Sequence, residues 1–167
     1  SRKYSNVGYW VAGRVIESVT GQTIGAAMRE RLFAPVGLTE TFFEGEEDIG
    51  GELVRGYGYW GNHPEMLELT DAVHPSVLWA AGAIVSSTLD EAAWARTYLG
   101  GELVSEAAMG ELLDLVDSEG KATTENFGFG LGLAVDETAY GRVRWMHTGG
   151  SFGYGSMMVY QPELKVA

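Results

Sequence analysis

Two short stretches of this 167-residue chain carry side chains suited to moving protons and gripping a polar ligand. One is Tyr4-Ser5-Asn6. The other, about 140 residues later, is His147-Thr148-Gly149-Gly150. A phenol, a carboxamide, an imidazole and a hydroxyl are groups of acid–base chemistry and of hydrogen bonding to a carbonyl or carboxylate. Each stretch also has a purely structural explanation. Ser5 suits a helix N-cap, with Tyr4 and Tyr9 placed as a hydrophobic staple. The glycines after His147 suit a turn closing a hairpin, with the histidine at a strand end.

The elements around these stretches follow from local patterning. Ala12, Val15, Ile16 and Val19 recur at helical spacing, predicting a helix over 6–19 closed by Gly21. A second helix is expected over 23–33, stopping before Pro35, then a turn and a short extended piece. Residues 44–79 read as irregular, with short strands in "RGYGYWGNHPEM". Thr88 and Glu91 form a capping box for a helix ending at Gly100-Gly101, and Ser105 starts another. After the polar loop "SEGKATTEN" the pattern turns to strands: "FGFGLGLAV", "RVRWMH" and "YGSMMVYQ". A mainly helical and irregular region, about 1–125, thus precedes antiparallel strands, about 126–167, an α+β order within a single partial domain. "PELKVA" reads as the start of a further strand, so both ends look truncated.

Composition narrows the function classes. Hydrophobic residues are 46% and charged residues 20%, values of a globular chain with a core. The net charge of −12 repels nucleic acid and anionic membrane, so neither is an expected partner. The acidic run from Glu44 to Glu52 reads as a solvated loop, without the ligand spacing of a calcium site. With no cysteine, disulfides and thiolate chemistry are excluded. No apolar run reaches the ~20 residues that span a bilayer. The glycines of "FGFGLG" lack dinucleotide-site spacing. His63, Asp71 and His74 lack the spacing of a metal site. Neither a cofactor nor a metal is expected.

Taken together and in this order, the segments resemble the serine β-lactamase and penicillin-binding-protein-like hydrolases. The similar branch is the class C-like one, with D-alanyl-D-alanine carboxypeptidases, esterases and D-amino-acid amidases. "YSNVGYWVAGRVIESVTGQTIGAAMRERLFAPVGLTET" is similar to the family's Tyr-x-Asn segment and the helices after it. "AAGAIVSSTLDEAAWARTYLGG" resembles its small-residue strand and following helix. "FGFGLGLAV" and "HTGGSFGYGSMMVYQPELKVA" resemble the strands around its third motif. The resemblance implies part of a β-lactamase/transpeptidase-like fold.

It also implies roles. Acyl transfer needs a nucleophile, a base, an oxyanion hole and a handle on the substrate. Tyr4 would be the general base or proton shuttle, helped by nearby ammonium groups, since a free phenol is a poor base at neutral pH. Asn6 would hydrogen-bond a catalytic lysine and the substrate amide oxygen. His147 and Thr148 would line the strand edge and meet the substrate's carboxylate or ester end. Gly149 would leave space, and the Gly150 N–H would serve the oxyanion. Dedicated β-lactamases mostly carry lysine where His147 stands, which turns the expectation toward peptidase, amidase or esterase activity on a D-amino-acid peptide, amide, ester or lactam. The aromatics Tyr57, Tyr59, Trp60 and Trp79 read as core or cleft wall. In the family this region borders the substrate, so Trp79 and its neighbours are expected to shape specificity.

The family's nucleophile, the serine of Ser-x-x-Lys on a helix start, is expected before Tyr4, and only three residues stand there. The one formal match, Ser118-Glu119-Gly120-Lys121, lies in a polar loop with no apolar helix after it and is rejected. The chain alone is therefore expected to be inactive, a part of a hydrolase roughly twice its length. The alternatives are a non-catalytic pseudoenzyme or ligand-binding domain keeping the cleft walls, and an unrelated α+β domain with chance triplets. Oligomeric state and compartment stay open, although relatives are often exported.

Overall fold

Ser5 starts the first helix as its side chain allows: the hydroxyl accepts the Gly8 N–H at 3.3 Å, satisfying one donor the helix start leaves free. The structure, a computed structural model, describes residues 4–123 and 127–167. The end of the "SEGKATTEN" loop, and with it the 125/126 boundary between helical and strand regions, lies outside the described residues. Helix α1 spans Asn6–Thr20. Gly21 closes it at φ 69, its N–H on the Glu17 carbonyl. The helix is where the spacing of Ala12, Val15, Ile16 and Val19 predicts it, and those four residues are exposed. The helix buries Gly13, where a Cβ would come within 2.6 Å of the Ala80 Cβ. A glycine contributes nothing to apolar periodicity, so the pattern located the helix and missed its contact side.

The next helical stretch runs further than expected. α2 (Ile24–Met28) passes into a π turn over Arg29–Phe33 and then α3 (Ala34–Val36). Pro35 does not stop it. It lies in the first turn of α3, where a missing N–H is tolerated, and the wide π turn leaves room for its ring. Strand β1 (Thr41–Phe43) follows and pairs antiparallel with β4 (Ile84–Ser86), Phe42 opposite Val85. Between them β2 (Tyr57–Gly58) pairs with β3 (Leu67–Glu68). Two 3-10 turns, Pro75–Val77 and Trp79–Ala81, precede β4.

Helix α4 (Thr88–Leu99) starts one residue earlier in its capping than the Thr88–Glu91 box predicts. Ser87 is the cap, its hydroxyl accepting the Asp90 N–H at 3.3 Å. Asp90 is itself engaged, one carboxylate oxygen accepting the Glu40 N–H at 2.7 Å and the Thr41 hydroxyl at 2.9 Å. Ser105 caps α5 (Glu106–Leu112) as expected. A four-stranded antiparallel meander then follows: β5 (Gly128–Phe129), β6 (Ala134–Glu137), β7 (Val143–Ser151) and β8 (Tyr154–Tyr160), in that order across the sheet. "FGFGLGLAV" is thus two strands and a turn. "PELKVA" is not a strand but a turn closed by the Gln161–Val166 bridge. Among the described residues no helix is long and apolar enough to cross a membrane.

The contacts divide the chain into two compact units. The first contains Tyr4, Glu91–Thr148 and Met157–Ala167. Its core is Leu99, Leu112, Leu133, Val135 and Tyr160, with Trp145 against the Tyr160 ring at 5.9 Å. Arg144 and Asp136 stand opposite each other on β7 and β6 and join by two hydrogen bonds, 2.8 and 2.6 Å. The second contains Ser5–Asp90 and Gly149–Ser156, with Ile24, Phe43 and Ala83 at its centre.

In the second unit the acidic run is not all solvated. Glu46 accepts the Gly25 N–H at 2.9 Å. Glu47 receives Arg29 through Nε at 2.7 Å and Nη2 at 3.0 Å, and accepts the Phe43 N–H at 2.7 Å. The same guanidinium donates to the Leu38 and Thr41 carbonyls. The hydrogen bond from Arg29 holds the Glu47 carboxyl below the ordinary carboxylate range, against the opposing effect of burial, and the Phe43 N–H adds to it. A carboxylate held low contributes stability above its unfolded value and loses it as pH falls through the folded one. Glu47→Gln is expected to cost about 1–3 kcal/mol at pH 7, the scale of hydrogen bonds to charged groups. The gap from the parent chain should begin to shrink as pH falls below about 4, where the unfolded carboxyl takes up its proton, and close only below the lowered folded value, where both states bind it. Urea denaturation at pH 7 and pH 3 checks this.

Candidate active site

The two candidate motifs stand on different kinds of backbone. Tyr4 directly precedes the cap Ser5, and its side chain is exposed. Asn6 is the first residue of α1 and also exposed. The cap makes this local geometry legible: Ser5 is held extended at φ −151, and the helix begins on the next residue.

His147, Thr148, Gly149 and Gly150 are consecutive residues of β7. The hairpin reading is therefore displaced. The glycines are strand rather than turn, and the chain reverses at Phe152-Gly153, with Gly153 at φ 83. His147 is half-buried, and Thr148 to Gly150 are exposed. The boundary between the two units crosses the motif, so Tyr4, His147 and Thr148 belong to the first and Asn6, Gly149 and Gly150 to the second.

The glycines differ in what they leave open. A Cβ on Gly149 would collide with the Ser156 hydroxyl across the hairpin, whereas one on Gly150 would meet nothing within 4 Å. Stepping one residue along each antiparallel strand sets Gly150 opposite Gly155, which is equally open. The free space next to this strand pair is thus at Gly150 and Gly155. Gly153 has the opposite role. A Cβ there would lie 2.6 Å from the Gly56 carbonyl carbon and 2.7 Å from the Tyr57 nitrogen, so the turn rests backbone to backbone on β2. Tyr154 completes this seat, its hydroxyl donating to the Val54 carbonyl at 2.8 Å.

The remaining candidates occupy local roles. Ser118 and Lys121 flank Gly120 in an exposed turn organised by Asp117, which accepts the Glu119 and Lys121 N–H groups at 2.8 and 2.9 Å. The Lys121 ammonium pairs with Glu119 at 2.6 Å. His63 and His74 each use Nδ1 to accept a backbone N–H two residues on, from Glu65 and Ser76. Trp79 adopts φ 40, uncommon for a bulky side chain, and its ring packs on Gly13 and under the Arg14 guanidinium at 4.7 Å. Trp60 lies against Phe152 with ring centroids 5.3 Å apart. That pairing had no sequence signal, because the two residues are on separate loops.

A family model described as Beta-lactamase matches residues 1–167. Among curated proteins, the chain is 35% identical over 99 residues to the unguisins hydrolase ungD' of Aspergillus campestris, covering 58% of this chain and 18% of that one. It is 31% identical over 97 residues to penicillin-binding protein 4 of Amycolatopsis lactamdurans, covering 58% and 25%. Among solved structures, a D-stereospecific amidohydrolase from Streptomyces sp. superposes with a TM-score of 0.86 at 29% identity, covering 99% of this chain and 48% of that one. The chain therefore spans about half the length of that enzyme.

The glycine geometry predicts opposite outcomes for like substitutions. Gly153→Ala is expected to destabilise by about 2–4 kcal/mol, combining a left-handed φ with a backbone collision. Gly150→Ala should stay within about 0.5 kcal/mol of the parent, as for open surface positions. Denaturant midpoints of the two variants decide it.

Proposed function

The chain belongs to the Beta-lactamase family, whose model matches residues 1–167, and from that membership we propose a serine hydrolase that acts through an acyl-enzyme on a D-configured amide, peptide or ester. The observation that carries the reading is the free edge that β7 presents past Met146, the last of its residues paired with β6: the stretch His147-Thr148-Gly149-Gly150 is exposed from Thr148 onward and bare of side chains at Gly150. An extended peptide-like substrate can lie along such an edge and hydrogen-bond its backbone. The name of the Streptomyces relative supports the D-amide preference.

In this reading a serine hydroxyl adds to the substrate carbonyl. Its proton passes by way of the Tyr4 phenol to the leaving amine as the C–N bond breaks. Water then attacks the ester and releases the acid. Asn6 holds the substrate amide oxygen and a catalytic lysine. The Gly150 N–H donates to the developing oxyanion, where a preorganised donor contributes most. Thr148 and His147 meet the carboxylate or ester end of the substrate. We assign the nucleophile to polypeptide outside these 167 residues, since the Ser118 turn is not a helix start. The 167 residues alone are then inactive.

In the complete protein, Tyr4→Phe is expected to slow acylation by about 10²–10⁴, the scale of losing an acid–base group. Burst kinetics on a D-amino-acid amide measure it, and a rate within a few-fold of the parent would remove Tyr4 from the mechanism. The 167-residue chain should take up no fluorescent penicillin or fluorophosphonate. Stoichiometric labelling lost on Ser118→Ala would make that serine the nucleophile instead.

A further inference from the structure

Valines recur at every fourth residue along α1, at Val7, Val11, Val15 and Val19, and each of them is more than half exposed. Residues four apart form one ridge on a helix surface. Single exposed valines are ordinary, but a continuous apolar ridge marks a contact surface. Valine is also a weak helix former, with one strongly preferred rotamer in a helix. A solvated helix face gains nothing from such residues. A packed face gains a stiff ridge that loses little rotamer entropy on contact.

Beside the ridge lies a groove of about 730 Å³. Val7, Val11 and Val15 line it together with the indoles of Trp10 and Trp79. Both indoles are held. The Trp10 Nε1–H donates to the Leu78 carbonyl at 3.0 Å. The Trp79 ring packs on Gly13, with the Arg14 guanidinium 4.7 Å from its centroid. Arg14, the charged residue of the lining, is already paired with Glu17 at 2.7 Å. The groove is therefore formed before anything enters it, and all of it belongs to the second unit.

Length and charge decide what fills it. The chain superposes along nearly its whole length on a protein about twice as long. A second copy would instead bring together two chains of net charge −12. The Arg14 charge, answered by Glu17 within the same helix, does not offset that repulsion.

We propose that the valine ridge of α1 and its groove seat an apolar helix of the same protein, from polypeptide outside these 167 residues, packed ridge into groove across α1 at about −50°. This rests on the reading of the chain as about half of a hydrolase and names the face by which the two halves join. The contact extends to Val7, the residue after Asn6, so the docked helix also steadies the start of α1.

The 167 residues hold no cysteine, so Val11→Cys introduces a thiol with no rival among them. Its reaction with iodoacetamide is read by mass spectrometry on the tryptic peptide that ends at Arg14, in the 167-residue chain and in the complete protein. In the chain alone the thiol is expected to react within about threefold of its rate in guanidinium, as an accessible thiol does. In the complete protein the reaction should slow about a hundredfold or more, because the docked helix must leave first, and guanidinium should restore it. Val15→Cys repeats the measurement should the first variant fail to fold. Equal rates in the two folded proteins overturn the inference. Protection already present in the chain alone overturns it as well, and a dimer in sedimentation would then assign the ridge to a second copy. Protection in a complete protein that takes up no fluorescent penicillin or fluorophosphonate would overturn the hydrolase reading and leave the docking face standing. A reactive thiol in a complete protein that does take up the label would overturn the docking face alone.

Discussion

The second unit is organised around one guanidinium. Arg29, in the π turn, donates to Glu47 and to the Leu38 and Thr41 carbonyls, and its charge lies 5.1 Å from the Phe33 ring centroid and 5.7 Å from that of Phe42. Four segments thus meet at one rigid, planar donor, which a flexible ammonium would not reproduce. Glu47 answers it and also accepts the Phe43 N–H, fixing the strand whose Phe43 is the most buried large side chain in its cluster. From β1 the order passes to β4 by pairing and to the start of α4 through Asp90, which binds both Glu40 and Thr41.

A second constraint acts on the hairpin beside the candidate site. Backbone lies on backbone where Gly153 meets Gly56 and Tyr57, a distance no side chain permits. That contact seats the tight turn on β2 and determines where Phe152 stands. At the open pair Gly150 and Gly155 the absence of side chains leaves bare backbone instead of admitting other protein, since an added Cβ would meet nothing within 4 Å. Glycine in this short stretch has two physical purposes that composition cannot separate.

Much of the architecture was legible. Ser5, Ser105 and Gly21 act as read, because a cap involves residues three or four apart and needs no distant partner. The α+β order and the late antiparallel meander follow from periodicity alone. The errors share a cause. The run Ser86-Ser87-Thr88 offers several hydroxyls, and the choice of Ser87 depends on Asp90 being drawn to Glu40 and Thr41. Pro35 reads as a stop unless a π turn precedes it. The spacing that locates α1 does not show that its close contact is made at Gly13. The glycines after His147 read as a turn until the true reversal at Gly153 is seen.

What the sequence determined by itself was the identity of the candidate groups, the helix boundaries set by caps, and the similarity to a hydrolase family that the family match bears out. These are encoded in residues close together in the chain, or in motifs that stay recognisable however they are packed. Only the tertiary structure decided that His147 to Gly150 form a continuous strand, which glycines are open and which are closed, and that Trp60 meets Phe152. Those outcomes depend on which backbone lies within about 4 Å of which, the range over which packing acts. Chain order does not state such distances.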